Sequence, residues 1–278
     1  MRLARCVLDG RELVAVLDER GAAATGYDDM LELIADGERG LNEARRAAAQ
    51  ATPAQPERVL APLAPGKMLF CGVNYASHAE ENPAAVMPSE PFFFSKLPSA
   101  IVGPEDPIII PFPDNQTDYE VELAVVIGRR ARRVKRDQAL SHVFGYTVAN
   151  DVSARDVQFK DSQITLGKNA DSFAPLGPCV VTADEIDDPS RLHVATHVNG
   201  ELRQQAATSE WLFDVPALIE FLSLTITLEP GDIVTTGTPA GVAAFRQPPP
   251  WLAPGDEVTV EVAEIGRLTN PVIAGWEQ

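Results

Sequence analysis

The stretch DYEVELAVVIG, residues 118–128, reads as a strand with a charge problem. Side chains alternate along an extended chain, so Glu120, Glu122, Ala124 and Val126 share one side and Tyr119, Val121, Leu123, Val125 and Ile127 the other. The run from Leu123 to Ile127 is continuously apolar, the pattern of a strand covered on both faces. Two carboxylates are then buried together on one side. Like charges out of water are costly unless protons or a cation neutralise them. The stretch therefore predicts a buried strand with a positive group beside its two glutamates.

Outward from it, short apolar runs alternate with turn signals at 67–75, 100–111, 143–153, 179–186, 192–204, 232–237 and 256–266. Helical patterns are fewer, at 76–81, 136–141 and 214–226, so the expected class is α+β and strand-rich. The first 20 residues predict a hairpin turning at Asp9-Gly10. Residues 28–51 are helical in composition but interrupted at Gly37 and Gly40, and 52–67 is a proline-punctuated connector. We place a boundary near residue 65, with a small N-terminal domain and linker over 1–65 and a main domain over 66–278. The proline-rich residues 245–255 predict a stiff surface loop.

Composition narrows the function. A chain of 278 residues with 45% hydrophobic and 23% charged residues is ample for a packed core. Its net charge of −17 disfavours nucleic-acid and anionic-membrane partners. Cys6, Cys71 and Cys179 are widely spaced and odd in number, which suits neither a disulfide framework nor a zinc knuckle. With no apolar run of secretory or membrane-spanning length, the expectation is a cytoplasmic protein. A serine hydrolase is disfavoured because no G-x-S-x-G elbow occurs, and the Gly-Lys at 167–168 lacks the rest of a P-loop.

A third carboxylate, Asp151, closes the strand-like run that ends in Asn150-Asp151. Three carboxylate donors without histidine or cysteine at zinc spacing suit a hard divalent cation such as Mg²⁺ or Mn²⁺. Taken alone, an E-x-E strand is more often a solvated face, and Asp151 alone is as readily a cap or turn residue. The surrounding motifs reverse that balance.

CGVNYASHAEE (71–81), PFFFSKLPSAIVGPEDPI (91–108), DYEVELAVVIG, VFGYTVANDVSARDVQ (143–158), TLGKNADSFAPLGP (165–178), VNGELRQ (198–204) and LEPGDIVTTGTPAGV (228–242) stand in the order found in the fumarylacetoacetate hydrolase family. From about residue 67 to 272 the chain resembles that family, and residues 1–65 resemble the variable N-terminal segment of its smaller members. The resemblance implies a mixed β-sandwich roll with short flanking helices, paired as a homodimer. It implies that Glu120, Glu122 and Asp151 hold one Mg²⁺ or Mn²⁺ per chain. His78 and Glu81, three apart on one helical face, resemble the family's water-activating pair on a mobile lid. Lys168 with Gln158 resembles the group that polarises a substrate carbonyl. Arg155 pairs either with a substrate carboxylate or structurally with Asp156 or the local backbone. Lys96, Thr238 and Tyr75 resemble substrate-contact positions, while Gly237 and Gly241 serve turns or close backbone approach. Larger members carry a further aspartate ligand where this chain has Cys71, so a three-carboxylate site is expected.

The function implied first is a metal-dependent hydrolase cleaving a carbon–carbon bond in a 2-oxo or 1,3-diketo acid through an enolate, with water activated by His78 and Glu81. The alternative on the same site is decarboxylation of an oxaloacetate-type 2-oxo acid, or enol–keto isomerisation, since each passes through the same enolate. A different class, a non-catalytic binding protein on this fold, is disfavoured by the intact set of Glu120, Glu122, Asp151, His78, Glu81 and Lys168.

Overall fold

The computed structural model describes residues 1–82, 87–160 and 162–277. Its centre is the strand Val121–Ile127, every residue of which is buried. It pairs antiparallel with Val143–Asn150 on one side and Ile233–Thr235 on the other. The large sheet runs through Gly21–Ala24, Arg11–Asp18, Arg2–Leu8, Ala174–Thr182, Val143–Asn150, Val121–Ile127, Ile233–Thr235, Met68–Cys71 and Phe93–Lys96. A second, five-stranded sheet runs Glu201–Ala207, His193–Val198, Glu257–Val262, Gly266–Ala274 and Ile108–Ile110.

The alternation read from residues 118–128 explains how these layers meet. Val121, Leu123, Val125 and Ile127 enter one apolar cluster with Val194, Val258, Val260 and Leu268 of the second sheet. Ala124 and Val126 point the other way, into a cluster with Met30, Leu33 and Ile34 of the helix Met30–Ala35. Both faces of the strand are thus dry, and any charge on it must find its partners inside the protein.

Residues 1–65, expected as a small unit and linker, contribute strands to the large sheet: Arg2 and Leu3 pair with Val181 and Val180. The predicted hairpin turns at Asp9-Gly10, both with positive φ (49° and 71°), the geometry of a tight I′-type turn. Gly37, at φ 55°, separates the helix Met30–Ala35 from the helix Gly37–Gln50. The helices at 76–81 and 214–226 form as Ala76–Glu81 and Val215–Thr225, and the one at 136–141 forms as a 3₁₀ turn over Arg136–His142. The strand Gly266–Ala274 was not expected. Its core-facing alternation is masked by Asn270, whose buried amide donates to the Gly103 and Asp106 carbonyls. Among the described residues, no helix is long and apolar enough to cross a membrane.

Candidate active site

The two central strands bring the carboxylates together. Glu120 immediately precedes Val121–Ile127, and Asp151 immediately follows Val143–Asn150, in an antiparallel pair that sets Val121 opposite Asn150. Backbone and side chain lock the junction: Asp151 N–H donates to the Glu120 carbonyl (2.8 Å), and Glu120 N–H to Asn150 Oδ1 (3.0 Å). One oxygen from each of Glu120, Glu122 and Asp151 then lies within 4.8 Å of the others, all three side chains buried. A set of three converging hard oxygens fits a divalent cation, so this buried acidic triad can hold a metal ion.

Three buried cations surround the triad. Lys168 Nζ bridges Glu120 Oε2 (2.9 Å) and Asp151 Oδ2 (2.6 Å). Arg155 bonds Glu120 Oε1 through Nη2 and Asp118 Oδ2 through Nε (2.9 Å). Lys96 Nζ donates to Asp151 Oδ1 (2.6 Å) and the Val152 carbonyl (2.9 Å). Asp118, Glu120, Glu122 and Asp151 therefore face Lys96, Arg155 and Lys168, leaving one negative charge over. A bound divalent ion turns that excess into one positive charge, which favours an anionic substrate.

Glu122 carries the imbalance. No cation bonds it. Its Oε2 accepts from the Gly237 N–H (2.6 Å), and burial together with the neighbouring Asp151 charge pushes its carboxyl well above the ordinary range. Burial also raises Asp151, despite Lys168 and Lys96. For Glu120 burial is outweighed by Arg155 and Lys168, which hold it well below the usual carboxylate range. Burial brings Lys96 down to about 8, whereas Asp151 and Glu120 overcome burial and raise Lys168. Gly237 reaches Glu122 with φ at 78°, and a Cβ there would stand 2.8 Å from the Gly72 carbonyl oxygen, so the backbone approach requires glycine.

His78 and Glu81 sit on the formed helix Ala76–Glu81, with Nδ1 2.7 Å from Glu81 Oε1. The Gly241 N–H holds the other Glu81 oxygen (2.8 Å), and the Phe245 ring lies 6.1 Å from the imidazole. His78 lines a cavity of about 130 Å³ together with Glu120, Glu122, Arg155, Gln158, Lys168 and Thr238. The imidazole and two of the triad carboxylates, Glu120 and Glu122, thus open on one space, with Cys71, Gly72, Phe92, Phe94 and Ile164 among its other walls. Burial and the Glu122 charge raise the Cys71 thiol, the opposite of what a nucleophile needs.

The remaining expected residues divide between the cavity and its supports. Gln158 and Thr238 line it: Gln158 Oε1 accepts from Arg155 Nη1 (2.9 Å), and Thr238 Oγ1 accepts from Gln204 Nε2 (2.8 Å). Arg155 touches the cavity too, but its bonds go to Asp118, Glu120 and Gln158, and Asp156 instead accepts from Asn115 and the Gln116 N–H. Lys96 lies behind Asp151, and Tyr75 is wholly buried with its ring edge-on to Trp211; neither is among the cavity walls. Lys96→Ala strands the Asp151 carboxylate in the core without its near cation, and we expect a loss of about 3–5 kcal/mol of stability by chemical denaturation. An unchanged midpoint contradicts that account of Lys96.

Two supports escaped the sequence reading. Gln204 uses all its bonds, accepting from Val121 N–H and Thr196 Oγ1 while donating to Thr238 Oγ1 and the Pro239 carbonyl. Asp118 takes Arg155 and three backbone N–H groups. Asp118 was legible in principle, since it continues the two-residue spacing of Glu120 and Glu122 upstream.

A buried carboxylate triad that can hold a metal ion, two of its members sharing a small cavity with an imidazole that is itself paired to a carboxylate, is the kind of arrangement found in an enzyme site. Residues 67–273 match the family model described as fumarylacetoacetate (FAA) hydrolase C-terminal, and the chain belongs to that family. It is 46% identical over 264 residues to oxaloacetate tautomerase FAHD2B, mitochondrial, of Bos taurus, covering 93% of this chain and 84% of that one. Among solved structures it is similar to the fumarylacetoacetate hydrolase of psychrophilic Exiguobacterium antarcticum (TM-score 0.86, 38% identity, 99% of both chains). It is also similar to maleylpyruvate hydrolase from Sphingobium sp. SYK-6 in complex with manganese(II) ion and pyruvate (TM-score 0.79, 33% identity, 99% of this chain and 100% of that one). The strand-rich α+β architecture agrees with these neighbours.

One expectation is corrected here. The tautomerases from Bos taurus and Homo sapiens carry mitochondrial in their names, which overturns the cytoplasmic assignment. The inference failed because three unpaired, buried cysteines report a reducing environment and carry no information about which compartment supplies it.

Proposed function

We propose that the chain is an enol–keto tautomerase of a small 2-oxo acid of the oxaloacetate type. The observation that carries this reading is the identity of 44–46% to mammalian oxaloacetate tautomerases, extending over 88–93% of the chain. Of the two readings of the motifs, isomerisation is therefore preferred to carbon–carbon hydrolysis. The cavity supports it: about 130 Å³ is well below the roughly 300–1,000 Å³ of pockets for drug-sized ligands, and suits a four-carbon acid.

Glu120, Glu122 and Asp151 would hold Mg²⁺ or Mn²⁺, which when bound supplies Lewis acidity toward the oxygens of a 2-oxo acid. His78 does the proton work. Its Nδ1 faces Glu81, so Nε2 is the nitrogen left to take a proton from the carbon next to the keto group. The same proton returns to oxygen to give the enol, and the reverse sequence gives the keto acid. Glu81 holds the ring in the required tautomer. Gln158, its oxygen occupied by Arg155, presents its NH₂ group to the developing negative charge, as Lys168 does with its ammonium. Thr238, whose oxygen accepts from Gln204, has its hydroxyl hydrogen available for a substrate carboxylate.

Hydrolysis stays as the second reading because the His78–Glu81 pair equally suits activation of water, and a similar structure is a maleylpyruvate hydrolase. A homodimer is supported by exposed Phe159 and Leu166 at the two adjoining short helices beside the cavity. The deciding experiment supplies enol oxaloacetate, and separately an acylpyruvate, with Mg²⁺ or Mn²⁺, and identifies products by mass spectrometry. Metal-dependent loss of enol absorbance without change of mass is expected. Loss of CO₂, or cleavage of the acylpyruvate as the faster reaction, overturns the tautomerase assignment.

A further inference from the structure

Between the triad and the His78–Glu81 pair lies a wholly buried carboxylate that touches neither the cavity nor the triad. Asp118 Oδ1 accepts from Tyr119 N–H (2.9 Å) and Ala243 N–H (2.8 Å), and Oδ2 from Ala244 N–H (3.1 Å) and Arg155 Nε (2.9 Å). Three of these four bonds lead toward one or the other half of the site. Arg155 continues to Glu120 of the triad. Ala243 and Ala244 belong to the turn Ala243–Phe245, which follows Gly241 after the single residue Val242; the Gly241 N–H holds Glu81 and its carbonyl accepts from Arg246 and from the Tyr119 hydroxyl. Phe245 of the same turn packs against His78.

We propose that Asp118 is a positioning residue: through the turn at residues 241–245 it sets the His78–Glu81 pair in register with the acidic triad, using Arg155 as the other anchor. The physical basis is that the helix Ala76–Glu81 is only six residues long and has no side-chain N-cap bond, so its seat against this turn fixes where the imidazole points. A carboxylate accepting from four donors is a rigid pin, and charge-assisted bonds are the stronger kind. Asparagine in its place keeps the shape but turns an NH₂ group toward Ala244 N–H and Arg155 Nε, donor against donor.

The inference rests on the tautomerase reading for its kinetic readout but not for its structural one. In Asp118→Asn we expect kcat to fall about 100-fold, as for a displaced catalytic group, with KM and the Mn²⁺ dissociation constant within about threefold. Independently of any substrate, the ¹⁵N signals of the His78 ring should shift as the Nδ1 bond to Glu81 loosens. Phe245→Ala removes a second part of the seat and should lower kcat in the same sense, and the double variant should lose less than the product of the two single effects. If Asp118→Asn fails to fold, Phe245→Ala decides alone. Unchanged His78 signals, or a kcat loss no larger than the unfolded fraction, overturn the proposal. A wild-type protein inactive on oxaloacetate but with the expected ring-signal shift in the variant instead refutes the assigned activity and leaves the positioning role standing.

Discussion

Replacing Glu122 by glutamine is expected to abolish metal-dependent turnover while leaving the fold intact. Glu122 is the better target than Glu120. Removing Glu120 strands Arg155 and Lys168 in the core, a loss of about 3–5 kcal/mol that would confuse misfolding with lost chemistry. Glu122 bonds no cation among the described residues, and the amide oxygen of glutamine still accepts the Gly237 N–H. The variant therefore keeps the packing and loses one charged ligand. Calorimetric titration with Mn²⁺ should show at least about a hundredfold weaker binding, the scale on which charge-bearing ligands matter.

The same residue sets the pH dependence of the metal-free protein. Glu122 titrates well above its unfolded value of 4.5 in the folded state, because burial and Asp151 disfavour its charge. The stability it contributes is fully present below that unfolded value and is lost as pH rises through the raised folded one. Metal-free protein should thus lose stability with rising pH across this window, and saturating metal should restore it. Binding the ion displaces the Glu122 proton, so the enthalpy of Mn²⁺ titration should vary with buffer ionisation enthalpy in the wild type and less so in Glu122→Gln. Equal proton release in both proteins would show that another group carries the charge imbalance.

His78→Ala is the complementary case, with chemistry lost and metal binding kept. The imidazole makes its bond to Glu81 and none to the triad, so the Mn²⁺ dissociation constant should stay within about twofold of the wild type. The tautomerisation rate should fall about 10²–10⁴-fold, the usual contribution of a positioned general base. Hydrolysis of an acylpyruvate, if the wild type performs it, should fall with it. Undiminished tautomerisation in His78→Ala would remove the imidazole from the mechanism and leave Lys168 as the cavity's remaining candidate for proton transfer.

The linear arrangement of residues carried most of the central architecture, and the reasons are local. Period-two spacing in 118–128 placed Glu120 and Glu122 on one side of a doubly covered strand, and the turn chemistry of Asp9-Gly10 and the Gly37 interruption each act within a few residues. Charge balance demanded something positive beside the glutamates, and three buried cations are there. Which cations, and facing which oxygens, depended on distance through space. Lys96 was read as a substrate contact and Arg155 as either a substrate partner or a structural one; Lys96 bonds Asp151 away from the cavity, and Arg155 lines the cavity while bonding Glu120, because segments 55 and 35 residues away from their partners converge there. The roles of Asp118 and Gln204 stayed unnoticed for the same reason: apart from one near bond each, to Tyr119 and Thr196, their bonds run to residues 37 to 126 and 34 to 83 positions away, outside any pattern a window of sequence can hold. Pattern reports which face a side chain takes, while only folding reports what waits on that face, since electrostatic and hydrogen-bond partners are chosen by proximity in three dimensions.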